Sequence, residues 1–419
     1  MTLPGLYRCA LILSSLWLLS PASQAADYQL EKVVELSRHG VRPPNPGNRK
    51  EIEAASQQSW TQWTTADGEL TGHGYSAVVN KGRWQGEHYR QLGLLGAGCP
   101  DVAQVYVRAS PLQRTRATAS ALTDGAFPGC GVPVHHVAGD VDPLFQSEKL
   151  TVTHTDPAQE LAAKQQKAGD LARLQQELQP AIQQLKAAVC PPAATDCPLF
   201  DAPWSFRQTR NGNTYVYGLS VMASMVETLR LGYSENLPWD QLAWGHITSA
   251  AQITTLLPLL TANYDLSNDV RYQAQRRGSI LLNALLEAIA SDSAPGRWLI
   301  LVAHDTNIAM VRTLMGFSWQ LPGYSRGNIP PGSSLVLERW RDTHSGERFL
   351  RLYFQAQSLD GIRQLQQIDD KHPLLRQEWH QQDCRITDVG VLCPYQSTLI
   401  QLRKKLDDSA VLPVSVILP

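Results

Sequence analysis

The run RWLILVA (297–303) is the most strand-like stretch of the chain, and it empties directly into His304-Asp305-Thr306-Asn307. Two earlier runs behave alike. KVVELS (32–37), rich in valine and leucine, delivers Arg38, His39 and Arg42 before the chain stops on Pro43 and Pro44, and AQVYV (103–107) delivers Arg108, Arg114 and Arg116. Three polar clusters therefore lie just past the carboxyl ends of three strands, and in open parallel sheets that edge is where ligands bind. The pattern predicts an α/β fold with a mixed, mostly parallel sheet flanked by helices.

The texture of the chain then predicts an interruption. From about 27 to 145 and again from about 255 to 419, short β-rich runs alternate with amphipathic stretches and Gly/Pro turns. Between them, 157–189 holds almost no β-branched residues, and Leu161, Leu171, Leu174 and Leu178 recur at helical spacing. Pro180 is expected to begin a new helix, and LSVMASMVETLRL (219–231) to form another. The organisation read from this is a discontinuous α/β catalytic domain, 27–145 and 255–419, with a helical insertion domain at 146–254 and a ligand in the crevice between them. Near the C-terminus, SSLVLERWRD and RFLRLYFQAQ flank Thr343-His344-Ser345-Gly346 and read as an antiparallel hairpin covering a sheet edge.

Composition decides the compartment and the sign of the partner. Arg8 precedes an apolar run at 10–19 and small residues at 23–26, which reads as a secretory signal over 1–26. The apolar run is too short for a membrane span, which needs roughly 20 residues. Without that segment the chain keeps 36 basic and 38 acidic residues, so attraction of an anion has to be local. No basic run of the kind a nucleic-acid footprint needs is present. The six remaining cysteines, Cys99, Cys130, Cys190, Cys197, Cys384 and Cys393, fall as three local couples separated by 31, 7 and 9 positions. An even count in an exported chain suggests disulfides between neighbours, and zinc is the rival, disfavoured without a C-x-x-C.

The three clusters limit the chemistry. Arginine is not deprotonated in a protein and presents a planar fork that matches phosphate oxygens. A neutral imidazole is a competent nucleophile, and Asp305 can give a proton to a leaving oxygen and later take one from water. No metal or cofactor is required, because guanidinium groups can stabilise the transferring phosphoryl group. Each residue also has a plain alternative. Arg38 or Arg42 could be a surface ion-pair partner, His39 a turn histidine, and Arg108 and Arg116 solvated charges. Asp305 could N-cap the helix of NIAMVRTLM (307–315), or do both jobs. His135 and His136 would face opposite sides of a strand, GLLGAG (93–98) follows no strand, and Trp60 and Trp63 are expected to pack.

At these residues the sequence resembles the histidine acid phosphatases, whose signature R-H-G-x-R-x-P near the mature N-terminus stands here as Arg38 to Pro44, with the late H-D as His304-Asp305. It looks closest to the periplasmic phytases of enteric bacteria, and the likeness runs through LTGHGY (70–75), DPLF (142–145), HDTN (304–307) and PPGSSLVLERWRD (330–342). Phosphoglycerate mutase relatives share the first motif but lack the late pair in this setting. The resemblance implies an α/β domain with a helical insertion, His39 as the residue that becomes phosphohistidine, and Asp305 as proton donor. It further implies Arg38, Arg42, Arg114 and His304 as phosphate ligands, and the three neighbouring disulfides. A glutamate of the insertion also binds substrate in relatives, for which Glu227 is the candidate and Thr228 the alternative register. Some of these phytases carry a lysine after the first motif, where Asn45-Pro46-Gly47-Asn48 stands here, and some carry a fourth, long-range disulfide that has no cysteines here.

The function expected is therefore a periplasmic or secreted acid phosphatase, a monomer acting on a small phosphate ester. Phytate is the substrate the resemblance implies first, with glucose 1-phosphate or general esters as the alternative. A non-catalytic exported anion-binding protein would need only the arginines, and the presence of both His39 and Asp305 speaks against it. The surrounding guanidinium groups should depress the His39 pKa, and a bound phosphate dianion should raise that of Asp305.

Overall fold

The structure, a computed structural model, describes residues 1, 27–191, 197–209, 212–413, 415 and 418, so the expected signal at 2–26 lies outside the described residues. The described chain is built on a nine-stranded sheet. Its strands are β1 (Tyr28–Arg38), β2 (Val105–Ala109), β3 (Val134–His135), β6 (Trp298–Ala303), β7 (Ser334–Asp342), β8 (Arg348–Ala356), β9 (Leu375–Glu378), β10 (Arg385–Thr387) and β11 (Gly390–Pro394). A separate hairpin is formed by β4 (Ser205–Gln208) and β5 (Thr214–Tyr217).

The apolar run 298–303 has no polar alternation because both of its faces are covered. Leu299, Leu301 and Ala303 enter one apolar cluster with Val34 and Leu36, while Trp298, Ile300 and Val302 enter the other with Val33 and Val107. That is the period of two expected of a strand between two helical layers. On the second face, helices Gly72–Gln91 and Gln113–Ala126 approach so closely that a Cβ at Gly82 would stand 2.1 Å from the Leu122 carbonyl oxygen. Only glycine fits there.

The strand order is β10-β11-β8-β7-β1-β6-β2-β3, with β9 paired to β8. The sheet is mixed, and its parallel pairings are confined to β1, β6, β2 and β3. In register, Arg38 faces Ala303 and Ala109 faces Val302, so the ends of β1, β6 and β2 are level. That register brings the three polar clusters to one edge. The hairpin β7–β8 forms as expected, β7 pairing antiparallel with β1, but it does not end the sheet. Almost all of β8 is buried, so its outer side must itself be covered, and β9 and β11 pair with it there.

Between β3 and β6 the chain is mainly helical, with helices Pro157–Ala168, Leu171–Glu177, Gln179–Val189, Leu219–Ser234, Ala250–Asp265 and Arg271–Ala290. Pro180 sits in the first turn of its helix, as the sequence predicts. The three cysteine couples are joined as Cys99–Cys130, Cys190–Cys197 and Cys384–Cys393. Among the described residues no helix is long and apolar enough to cross a membrane.

Candidate active site

His39 is fixed by its own backbone before its ring does anything. Its N–H donates to the Ala303 carbonyl at the end of β6 (3.1 Å), and its carbonyl accepts from Gly332 N–H (2.9 Å) just before β7. Beneath it the buried Lys81 ammonium donates to Glu35 (2.8 Å), the Gly332 carbonyl (2.9 Å) and Ser334 (3.0 Å), locking the two entering segments together. The ring Nδ1 stands 2.9 Å from the Gly40 carbonyl, and Gly40 N–H donates to Thr118 Oγ1 at 2.9 Å. A carbonyl only accepts, so Nδ1 carries the proton and Nε2 the lone pair.

Three guanidinium groups surround that ring. Arg38, fully buried, donates to the Ile329 carbonyl and to Glu227 Oε1, both at 2.5 Å. Arg42 donates to Pro43 (2.8 Å), and Arg114 to the Gly68 carbonyl (3.2 Å). The Nε groups of all three are buried and meet no acceptor among the described residues. Gly68 has φ +83°, and a Cβ there would stand 3.0 Å from Asn45 Oδ1, so glycine lets this carbonyl reach Arg114.

From β6 come His304 and Asp305. The His304 ring lies 5.6 Å from that of His39, edge-on, and its Nε2 is 3.1 Å from Ser110 Oγ at the end of β2. The expected N-cap at Asp305 is corrected: helix Asp305–Met315 already includes Asp305, so the cap position falls to His304, whose N–H donates to Asn307 Oδ1 at 3.1 Å. Asp305 instead accepts from the Tyr264 hydroxyl at 2.5 Å and stands 3.6 Å from Arg38.

The structure brings His39, Arg38, Arg42, Arg114, His304 and Asp305 together, and Glu227 with them. Glu227 also accepts from Arg230, which donates onward to Asn328. Thr228 turns away, its hydroxyl donating to the Ser224 carbonyl (2.8 Å), and lines a separate hollow with Trp60, Trp63 and Trp244. Arg108 is not a member of the group. It is buried against Asp142, bonded at 2.7 and 2.8 Å through one nitrogen, and the exposed Arg116 is not a member either. Ser110, Thr118, Tyr264 and Arg230 were not singled out in the sequence. Ser110 directly follows a strand end and shares the signal of the others, whereas Tyr264 lies inside an apolar helix with no such mark.

The charges settle the resting state. Burial, then Arg42, Arg38 and Arg114, hold the His39 pKa well below the usual imidazole value. Burial and Arg114 bring His304 down to about 3, and burial and Arg42 bring Arg114 to about 10. Burial pushes the Asp305 carboxyl up, but Arg38, the Tyr264 hydroxyl and Arg42 outweigh it and hold it below the usual range. Burial likewise opposes ionisation of Glu227, and Arg230 and Arg38 prevail. Two neutral imidazoles thus sit among fixed cations whose donors outnumber the local acceptors. Such a site fits a tetrahedral dianion.

Residues 29–355 match the family model of the histidine phosphatase superfamily (branch 2). The glucose-1-phosphatase of Salmonella typhimurium is 31% identical over 395 residues, covering 90% of this chain and 94% of its own. The phytase AppA of Escherichia coli is 30% identical over 377 residues, covering 84% and 85%. The crystal structure of Klebsiella sp ASR1 phytase superposes with a TM-score of 0.92 at 67% identity, covering 94% of this chain and 100% of that one.

Proposed function

The chain belongs to the histidine phosphatase superfamily (branch 2) and is a phosphomonoester hydrolase, and from that premise we propose that it is a phytase working through a phosphohistidine at His39. One arrangement carries the catalytic reading: an imidazole with Nδ1–H tied to Gly40 and an unprotonated Nε2, ringed by Arg38, Arg42 and Arg114. The phosphate oxygens take the guanidinium donors and His304. His39 Nε2 attacks phosphorus, the bond from phosphorus to the ester oxygen breaks, and a proton on Asp305 passes to that oxygen, releasing the alcohol. Water then attacks the phosphohistidine, Asp305 takes its proton, and free phosphate and His39 are restored.

Asp305 is ionised in the resting site, so it must gain its proton with substrate. A bound dianion offsets the arginines that hold the carboxylate charged and adds like charge beside it, which raises the carboxyl pKa. Glu227, bonded to Arg38, belongs to the substrate-binding group in this reading. The arrangement that goes with it is a discontinuous α/β domain, 27–145 and 255–419, with 146–254 as a helical insertion over the site. Export to the periplasm or beyond is supported by the N-terminal apolar run and three disulfides.

The 67% identity with the Klebsiella phytase, against 31% with the Salmonella glucose-1-phosphatase, favours phytate over glucose 1-phosphate. Rates of phosphate release from both substrates at acid pH test this, and a higher kcat/KM on glucose 1-phosphate would reverse the assignment. Quenching turnover in alkali should trap a phosphoenzyme that His39→Ala cannot form. A trapped phosphoenzyme in that variant would end the nucleophile assignment.

A further inference from the structure

Tyr264 lies in the last turn of helix Ala250–Asp265 with its ring buried, yet its hydroxyl reaches into the site and donates to Asp305 Oδ2 at 2.5 Å. Arg38 approaches the same oxygen, at 3.6 Å. Oδ1 of Asp305 receives no hydrogen bond among the described residues. The ring is held from behind by Arg312, whose guanidinium lies 5.8 Å from its centroid and is itself paired with Asp269. An ionised carboxylate only accepts, so the phenol is the donor.

We infer that Tyr264 is the positioning residue of the proton donor: by occupying Oδ2 it fixes the carboxyl plane and leaves Oδ1 to face the departing ester oxygen. The inference rests on Asp305 being that donor. In the transfer the proton on Oδ1 moves to the leaving oxygen while Tyr264 keeps its own. Burial and the Asp305 charge push the phenol pKa well above its ordinary value, so Tyr264 is not the proton source. The other charged or titratable groups facing Asp305 are Arg38, Arg42 and Arg114, His304 beside it, and Glu227. All the cations favour its ionised form, and the phenol adds to them.

Tyr264→Phe, read by kcat against pH, tests the inference with two substrates. Glycerol 2-phosphate has a poor alkoxide leaving group that needs the proton, whereas p-nitrophenyl phosphate does not. The variant should lose about tenfold in kcat at acid pH on glycerol 2-phosphate, a fraction of what a general acid supplies, and little on p-nitrophenyl phosphate. Its alkaline limb on glycerol 2-phosphate should move to higher pH, because a hydroxyl that stabilised the carboxylate is gone. Equal losses on both substrates with an unmoved limb would make Tyr264 a packing residue and overturn the inference.

Asp305→Asn separates this outcome from failure of the underlying reading. If Asp305→Asn slows both substrates alike, the donor assignment itself falls. If it discriminates and Tyr264→Phe does not, only the positioning role falls. In the Asp305→Asn background Tyr264→Phe should cost nothing further. Should the phenylalanine variant fail to fold, 3-fluorotyrosine in place of Tyr264, a stronger donor, should move the limb to lower pH, and an unmoved limb would again overturn the role.

Discussion

Both ends of β1 are crowded with arginine, and they are wired in opposite ways. At the amino-terminal end Arg339, Arg341 and Arg348 each pair with Glu31, at 3.1, 3.1 and 2.8 Å, and Arg339 also reaches Asp292 at 2.6 Å. At the carboxyl-terminal end Arg38, Arg42 and Arg114 gather around one imidazole, and among the described residues neither Arg42 nor Arg114 pairs with a carboxylate. The cations at one end are answered by the protein, whereas at the other only Arg38 has carboxylate partners, Glu227 and Asp305, and Arg42 and Arg114 are the ones we propose meet an incoming anion. A count of arginines would not distinguish the two ends. The local shortage of acceptors does.

Changes at the two ends should therefore part in kind, and the largest effect belongs to the proposed nucleophile, His39. His39→Ala should lower kcat on the order of 10⁴-fold or more, measured as phosphate release, since groups that act as a unit fail together. Arg42→Ala should lower kcat/KM by about 10²- to 10³-fold, the scale of a lost transition-state donor. Arg341→Ala at the other end should leave kcat/KM untouched and, as a partly exposed ion pair, change unfolding free energy by about 1 kcal/mol or less. Similar kinetic losses at the two ends would break the comparison.

Arg108 offers an internal control one strand from the site. Arg108→Met leaves Asp142 buried without its cation and should cost about 3–5 kcal/mol in chemical denaturation. The folded fraction should keep its kcat/KM.

A last contrast concerns two carboxylates eight residues apart. Glu227 has two arginines and is held ionised, whereas among the described residues Glu235 has only the Thr71 hydroxyl at 2.5 Å, and burial pushes its carboxyl up to about 7. The folded protein then keeps a proton that the unfolded chain has released, so this group costs increasing stability as pH rises from the ordinary value near 4.5 to about 7. Glu235→Gln should match the parent in thermal melting near pH 4 and exceed it at pH 8. A constant difference across pH would remove the titration from the explanation.

Much of this was legible because the signals were local. A continuous apolar strand that runs into His304 and Asp305, and another into Arg38 and His39, put polar clusters at strand ends, and the helices between β3 and β6 declared themselves in a lack of β-branched residues. What depends on distant partners was not legible. Arg108 and Arg114 look alike by spacing, and the resemblance, through Arg114-Thr115, picks the second, but the partners that separate them, Asp142 and Gly68, show only in the structure. The choice between Glu227 and Thr228 turns on a helix's rotation, which one residue of register decides. Tyr264 carries no mark, because it follows no strand end and its partner is forty-one positions away.

The place of β6 bears on what a shortened chain can hold together. Among the described residues β1 and β2 do not pair, since the strand between them is supplied by residues 298–303, so the proposed cradle for phosphate cannot close without that distant segment. A truncated product that lacks β6 has arginines and an imidazole but no strand to hold them level. What brings the clusters together is the order of the strands, in which a segment late in the sequence lies between two early ones.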